Sequence, residues 1–218
     1  MIHAALPALT TASRLLVNGS GVGAYARRLR ADTPHVIALD IEHERLVQAA
    51  LPGQVCAAGE HLPFPCASFD AALSNEVLEH VQDDAQAVRE MVRTLRPGGR
   101  IIVFVPNRWY PFETHGIYLG QRYIFGNIPL VNYLPNPLRN RLAPHVRAYT
   151  GRQLHNLFRG LPVRVVRHTA IYGAYDNIIA RFGPPGRLLR TLLHGLEATP
   201  LKWFGLSHLL IVEKLTDA

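Results

Sequence analysis

Residues 14–30, RLLVNGSGVGAYARRLR, limit the fold more than any other stretch of the chain. Three apolar residues, Leu15, Leu16 and Val17, lead into Gly19-Ser20-Gly21-Val22-Gly23, and a segment of helix-forming composition, 24–30, follows at once. Strand, glycine-rich turn and helix in that order let a backbone come close to a ligand. Glycine tolerates φ values that other residues refuse, and the first turn of the next helix points its free N–H groups at whatever sits there.

The following residues continue the pattern. Asp32-Thr33-Pro34 breaks the helix. Residues 35–39 then read as a short buried strand ending in Asp40, and 42–51 as a helix closed by Pro52-Gly53. Residues 54–57 and 69–74 read as the third and fourth strands. Val77, Val81, Ala85, Val88, Val92 and Leu95 recur at spacings of 4, 4, 3, 4 and 3, which predicts one helical face over 77–95. Pro97-Gly98-Gly99 is expected to end that helix before a fifth strand, 100–105. Strands alternating with helices at this spacing imply an α/β, doubly wound parallel sheet, with ligands beyond the carboxyl ends of the strands. Residues 19–23, Asp40, 59–62 and Asn75 all follow predicted strand ends and are expected to meet in one cleft. The first dozen residues read as an irregular or short helical lead-in.

From 106 to 161 the texture changes to Pro, aromatic and Arg residues without a clean period, with seven Arg and a single acid, Glu113. So long an irregular connection in a compact domain is expected to be a lid or binding loop. One helix is legible inside it, where Thr150 and Gln153 make a capping box before Leu154, Leu157 and Phe158, with Gly160 as the stop. Residues 163–167 alternate like a sixth strand, and 209–212 like a last one. Leu188, Leu189, Leu192, Leu193 and Leu196 form an apolar helix stripe flanked by Arg187, Arg190 and His194, expected to pack in the core rather than lie on a membrane.

Composition narrows the function classes. The chain of 218 residues is long enough for one α/β domain with an elaboration, and no apolar run approaches the length of a membrane span. The first residues lack the charged and apolar regions of a secretory leader. Cys56 and Cys66 make neither a disulfide framework nor a metal site, and no His/Cys/Asp cluster stands at metal-ligand spacing, so no metal and a cytoplasmic setting are expected. Residues 1–105 carry nine Arg against 11 acids, whereas 106–218 carry 12 Arg and two Lys against five acids, so a charge of −2 is followed by one of +9. A basic second half suits an acidic substrate, a phosphorylated headgroup or an anionic membrane surface. Equally, it reflects the preference for Arg at 21 of 23 basic positions.

Two cofactor readings fit the first half. Gly19-x-Gly21-x-x-Ala24 matches the nicotinamide and flavin fingerprint, and Asp40, 19 residues after Gly21, stands where a ribose-binding carboxylate belongs. The same carboxylate serves any adenosine-containing cofactor. GSGVG, Asp40, GEHLPFPCASFDAALSNEVLEHV and REMVRTLRPGGRIIVFVPNR, in this order, together resemble the class I S-adenosylmethionine-dependent methyltransferases, and among them the small-molecule (type 11) branch. The similarity is strong over about 14–107. It implies a single Rossmann-like domain over 1–218, with a doubly wound, mostly parallel seven-stranded sheet whose last strand is antiparallel. It also implies an inserted substrate-binding lid, 106–161, between strands five and six. The Tyr-x-x-x-Lys pair of short-chain dehydrogenases is missing: neither Lys202 nor Lys214 has Tyr four residues before it.

By position, the resemblance assigns the methionine end of S-adenosylmethionine to Asn18, Gly19, Ser20 and Gly21, its ribose to Asp40 with Ile41, and its adenine to Gly59, Glu60 and Leu62. Asn75 and Glu76 would lie beside the methionine part, and His80 is read as a capped helical residue. Two positions depart from the family pattern: Val17 replaces an acid before the first glycine, and Ala58 replaces an Asp reaching the adenine amine. Each lost charge-assisted contact costs about 1.5–3 kcal/mol; Asn18 or Glu60 could substitute. Methyl transfer is an in-line displacement that depends chiefly on alignment in a dry pocket, and it needs a base only where the acceptor must lose a proton. His115 and Glu113, directly after strand five, are the candidates for base or acceptor orienter, with His145 a second. Aromatic residues interleaved with Arg108, Arg122, Arg139, Arg141 and Arg147 point to an apolar or aromatic small-molecule acceptor bearing an acidic group, a lipid-linked substrate or contact with an anionic membrane included. Nucleic acid is disfavoured, because Ser74-Asn75-Glu76-Val77 stands where base-flipping enzymes carry an Asn/Asp-Pro-Pro-aromatic segment. A non-enzymatic binding protein on the same scaffold is the alternative that Val17 and Ala58 raise.

Overall fold

The computed structural model describes residues 5, 6 and 9–216. The lead-in expected over the first dozen residues falls in part on 1–4, 7 and 8, outside the described residues. The glycine-loop unit is built from β1 (Leu15–Asn18) and α1 (Ala24–Leu29), and the chain then continues through β2 (Val36–Asp40), α2 (His43–Ala49) and β3 (Gln54–Cys56). After β4 (Phe69–Asn75) come α3 (Asp84–Thr94) and β5 (Leu95–Pro106). The 106–161 stretch holds short strands β6 (Phe112–Glu113), β7 (Ile117–Leu119), β8 (Arg122–Ile124) and β9 (Ile128–Pro129), then α4 (Asn136–Leu142) and α5 (Gly151–Leu157). β10 (Val163–Ile171), α6 (Asp176–Phe182), α7 (Pro184–Leu196) and β11 (Ser207–Lys214) complete the chain.

Seven strands form one sheet in the order β10-β11-β5-β4-β1-β2-β3. The pairs β1–β2, β1–β4, β2–β3 and β4–β5 are parallel, and an antiparallel pair closes one edge. Every residue of β1 is buried, as befits a strand covered on both faces. Register sets the function-bearing edge. Asn18, the last residue of β1, lies level with Leu39 on one side and Ser74 on the other, so the loops leaving β1, β2 and β4 emerge side by side. The order reverses between β4 and β1, the switch point where doubly wound sheets hold ligands.

Three expectations are corrected. The 77–95 helix begins only at Asp84, because Asp83 caps it by accepting a hydrogen bond from the Gln86 N–H at 2.8 Å; Val77, His80 and Val81 lie on the non-helical turn before it. Pro97-Gly98-Gly99 ends no element: the chain enters β5 at Leu95 and absorbs these residues in an irregularity opposite Phe69–Ala71. The Gly99 position requires glycine, since a Cβ there would stand 2.8 Å from the Asp70 carbonyl. The leucine stripe of α7 is not core. Leu188, Leu189 and Leu192 are 61%, 42% and 60% exposed, and Gly186 is the one buried residue of the helix.

The chain divides into two compact units, one drawn from Met1–Phe104, Gln153–His168 and Leu210–Ala218, the other from Val105–Arg152 and Thr169–Leu209. The second is organised around a buried ion pair. Arg139, on α4 and 1% exposed, donates from Nη2 to Glu113 Oε2 at 2.7 Å, from Nη1 to the Val146 carbonyl at 2.8 Å and from Nε to Asn132 Oδ1 at 3.3 Å. Asn132 in turn donates to the carbonyls of Tyr110 and Phe112. One side chain thereby ties β6, the 3-10 turn Val131–Tyr133 and α4 together. Removing one partner of such a pair leaves a charge buried without compensation. Arg139→Ala is expected to destabilise the protein by about 3–5 kcal/mol, and Arg139→Met/Glu113→Leu by clearly less, read as shifts in the urea midpoint.

Candidate active site

A cavity of about 1150 Å³ opens at the carboxyl ends of β1 to β4, at the upper end of the size of small-molecule pockets. Of the residues singled out for a cofactor, Asn18, Gly19, Ser20, Gly21, Asp40, Ile41, Gly59, Glu60, Asn75 and Glu76 all line it. Leu62 does not. Its side chain is buried and its N–H donates to Glu90 Oε2 at 3.0 Å, which turns the residue toward α3. Ala58 is in the wall, whereas Val17 sits inside β1 between Ala38 and Leu73.

The loop after β1 is shaped by steric necessity. Gly19 has φ +73°, and a Cβ there would lie 2.2 Å from Val77 Cγ2. Asp40 fixes the next turn: Oδ2 accepts from the Gly21 N–H at 2.7 Å, and Oδ1 accepts from the Glu42 N–H at 3.0 Å. A carboxylate has about four acceptor positions, so this one retains capacity toward the cavity. Both amide atoms of Asn18 and the Ser20 hydroxyl are buried and lack a hydrogen-bond partner among the described residues. Orphaned donors and acceptors in a cavity wall are what a polar ligand would satisfy. A Cβ on Gly59 would stand 3.1 Å from both Asn18 amide atoms, so that glycine leaves the amide its space. Among the loops, Glu60 Oε1 accepts from the Gln82 N–H at 2.8 Å, which joins the turn after β3 to the turn before α3. This donor and acceptor set fits the polar parts of S-adenosylmethionine.

Sequence reasoning missed part of the wall. Val77, Val81, Gln82, Asp83 and Gln86 line the cavity because the turn after β4 is not helical. The signal was present as Asp83-Asp84-Ala85-Gln86, an N-cap acid followed three residues later by Gln.

Glu113, His115 and His145 all fall in the second unit. Glu113 is buried; its Oε1 accepts from the His115 backbone N–H at 3.0 Å and lies 3.2 Å from His115 Nδ1, while Oε2 faces Arg139. Burial alone would raise the Glu113 carboxyl, but the hydrogen bonds from His115 and the Arg139 charge outweigh it and hold it below the ordinary carboxylate range. An ionised carboxylate on Nδ1 fixes the imidazole orientation. His145 Nε2 lies 3.2 Å from the His115 carbonyl, and its ring meets Tyr118 and Tyr123 edge-on. Arg139 is spent on the buried ion pair; Arg122 and Arg141 are exposed.

A mostly parallel seven-stranded sheet with a glycine loop, an acid at the end of β2 and a cavity at its switch point defines a Rossmann-like fold. Residues 16–103 match the model of the methyltransferase domain family. A probable S-adenosylmethionine-dependent methyltransferase of Mycolicibacterium smegmatis is 40% identical over 99 residues, 43% of this chain and 38% of that protein. A malonyl-[acyl-carrier protein] O-methyltransferase of Erwinia billingiae is 36% identical over 97 residues, 41% of this chain and 37% of that protein. These matches span under two fifths of the relatives' own length. The fold extends further. The crystal structure of an S-adenosylmethionine-dependent methyltransferase from Mesorhizobium loti superposes with a TM-score of 0.68 at 22% identity, covering 98% of this chain and 95% of that one. Residues 16–103 thus carry the pattern of a methyltransferase domain, and the chain as a whole has the fold of that solved S-adenosylmethionine-dependent methyltransferase.

One cavity-side feature is electrostatic. Glu76, which lines the cavity, holds a left-handed φ of 54° directly after β4, and its N–H donates to the Phe104 carbonyl at 3.0 Å. Glu79, three residues on, is 1% exposed, and burial, reinforced by the nearby Glu76 carboxylate, pushes its carboxyl far above the ordinary range. A raised folded value means that the stability from neutral Glu79 is fully present below its unfolded pKa. That stability is lost as pH rises toward the folded value. Glu79→Gln is therefore expected to match wild type near pH 4 and to exceed it increasingly toward pH 8. The gain should rise by up to about 1.4 kcal/mol per pH unit, measured by urea denaturation across that range.

Proposed function

We propose that this protein transfers the methyl group of S-adenosylmethionine to a small-molecule acceptor that is apolar or aromatic and carries an acidic group. The observation that carries the cofactor half is the cavity: ten of the positions singled out by sequence line it, with the Asn18 amide and Ser20 hydroxyl awaiting partners. On this reading Asn18, Gly19, Ser20 and Gly21 hold the methionine end, Asp40 and Ile41 the ribose, and Gly59 and Glu60 the adenine, with Asn75 and Glu76 beside the methionine part. Asn18 takes over polar contacts that an acid at position 17 would make. S-adenosylmethionine, when bound, supplies an electrophilic methyl on a positively charged sulfur, open to in-line displacement by the acceptor.

The acceptor half rests on the 106–161 insert, read as the substrate-binding lid of a single domain. His115, oriented by ionised Glu113, is assigned as the group that removes or positions the acceptor proton, with His145 holding the same loop. Exposed Arg122 and Arg141 among Tyr118, Tyr123 and Phe125 suit an acidic, ring-bearing or lipid-like acceptor. The malonyl-[acyl-carrier protein] relative offers an acidic acyl group as precedent. Cys56 and Cys66 are exposed and unpaired, which suits a reducing, cytoplasmic setting.

Calorimetric titration with S-adenosylmethionine and S-adenosylhomocysteine, with NADH as control, tests the cofactor half. Micromolar binding of the first two is expected. Asp40→Ala should weaken it at least about tenfold, and Asp40→Asn, which keeps an acceptor for Gly21, should lose less. No binding of either would assign the chain to the non-enzymatic scaffold reading that Val17 and Ala58 raise. In a screen of acidic aromatic and lipid-like acceptors followed by S-adenosylhomocysteine release, His115→Asn is expected to lower turnover by about 10²–10⁴-fold. Cofactor affinity should stay unchanged; equal turnover would remove His115 from the chemistry.

A further inference from the structure

The exposed leucines of α7 belong to a larger surface. α6 and α7 form a helical hairpin joined at Gly183, whose φ is +62°. The helices cross at Gly186, where a Cβ would stand 2.9 Å from the Ile178 carbonyl and the Ile179 Cα. Gly186 is buried at that contact and Leu193 is half-buried, whereas Leu188, Leu189 and Leu192 face solvent. Phe182 at the hairpin turn and Trp203 and Phe204 on the following 3-10 turn Pro200–Phe204 are also exposed. A thirteen-residue helix therefore carries an apolar face offset from the side that its own unit covers.

Cations frame this face. Arg187 and Arg190 flank the leucines on α7, the Arg181 guanidinium lies 5.4 Å from the Phe182 ring, and Lys202 Nζ lies 5.5 Å from the Trp203 ring. The segment's acids are Asp176, in the first turn of α6, and Glu197, whose Oε1 accepts from the Tyr172 N–H. Leucines on one face, Arg beside them and Trp, Phe and Lys at the ends make the pattern of a helix lying in a bilayer interface. The wider charge agrees. The second unit holds ten Arg and Lys against three acids, and so carries all seven net positive charges of the chain, while the first is neutral.

We propose that the α6–α7 hairpin and the 3-10 turn after it bind the surface of a membrane rich in anionic headgroups. The leucines and aromatic residues enter the headgroup–acyl boundary, and Arg181, Arg187, Arg190 and Lys202 meet the headgroup charge. A second copy of this chain is the poorer occupant, because it would bring one basic unit against another. RNA would leave the leucines without a partner, since they offer no stacking plane.

Co-sedimentation of the whole protein with phosphatidylcholine vesicles, with and without about one third phosphatidylglycerol, tests this. At least about tenfold stronger retention on the anionic vesicles is expected, weakening as salt rises. Leu188→Glu/Leu192→Glu and, separately, Arg187→Glu/Arg190→Glu should each lower it about tenfold or more, with melting temperatures unchanged because the replaced side chains lie at the surface. Leu188→Ser/Leu192→Ser, which adds no charge, should lower it too. Absence of wild-type retention, or undiminished retention of the leucine variants, would overturn the proposal. So would a dimer in sedimentation velocity that Leu188→Glu/Leu192→Glu dissolves, which would give the face to a second copy.

Discussion

The carboxylate of Asp40 is the point on which the candidate site depends. It ends β2, yet one oxygen holds the glycine loop after β1 through the Gly21 N–H, and the other holds the Glu42 N–H ahead of α2. Two loops that are 19 residues apart in sequence are thus locked into one wall. The tie works only because the parallel register sets Asn18 level with Leu39, placing Asp40 beside the loop it clamps. Charge-assisted bonds of this kind are short and about twice as strong as neutral ones. Part of the wall is therefore rigid before any ligand arrives, which is the condition for a cofactor to be held at little ordering cost.

The second unit solves a different problem. It has short strands, few long apolar runs and little regular structure to bury, so hydrophobic packing alone gives it a weak organiser. Its organiser is the polar network of Arg139, Glu113 and Asn132, in which each buried group meets partners, including the carbonyls of Tyr110, Phe112 and Val146. Such networks specify a conformation when fully satisfied. The same Glu113 that satisfies Arg139 also orients His115, so in the proposed chemistry the structural ion pair and the position of the imidazole are one device.

Where local and global preferences agreed, the sequence was legible. β1, α1 and β2 fall within a residue or so of their expected places, because an apolar run, a glycine turn and an Ala/Arg-rich segment each have one good conformation. The cavity wall followed from strand ends. Legibility failed where two signals competed. The apolar period from Val77 competes with the Asp83 cap, and the chain stays non-helical until a side chain can satisfy the first N–H groups. α4 was hidden by Asn136-Pro137, although proline in a first helical turn loses no hydrogen bond. The α7 stripe shows the limit of periodicity itself. It states which face is apolar but not what will cover it.

That limit bears on how the charge is distributed. In a core helix, cations beside the leucines would be a burden; on an exposed one they are an asset, because an Arg can lay its stem along apolar surface and keep its head at the rim. The first unit, which holds the cavity proposed for the cofactor, is neutral, whereas the second carries the whole positive excess. A cofactor with both charges needs no net field, while an acidic acceptor or an anionic surface is drawn by one. The division of charge thus follows the proposed division of labour: local dipoles and single carboxylates where the ligand is balanced, a broad basic field where it is not.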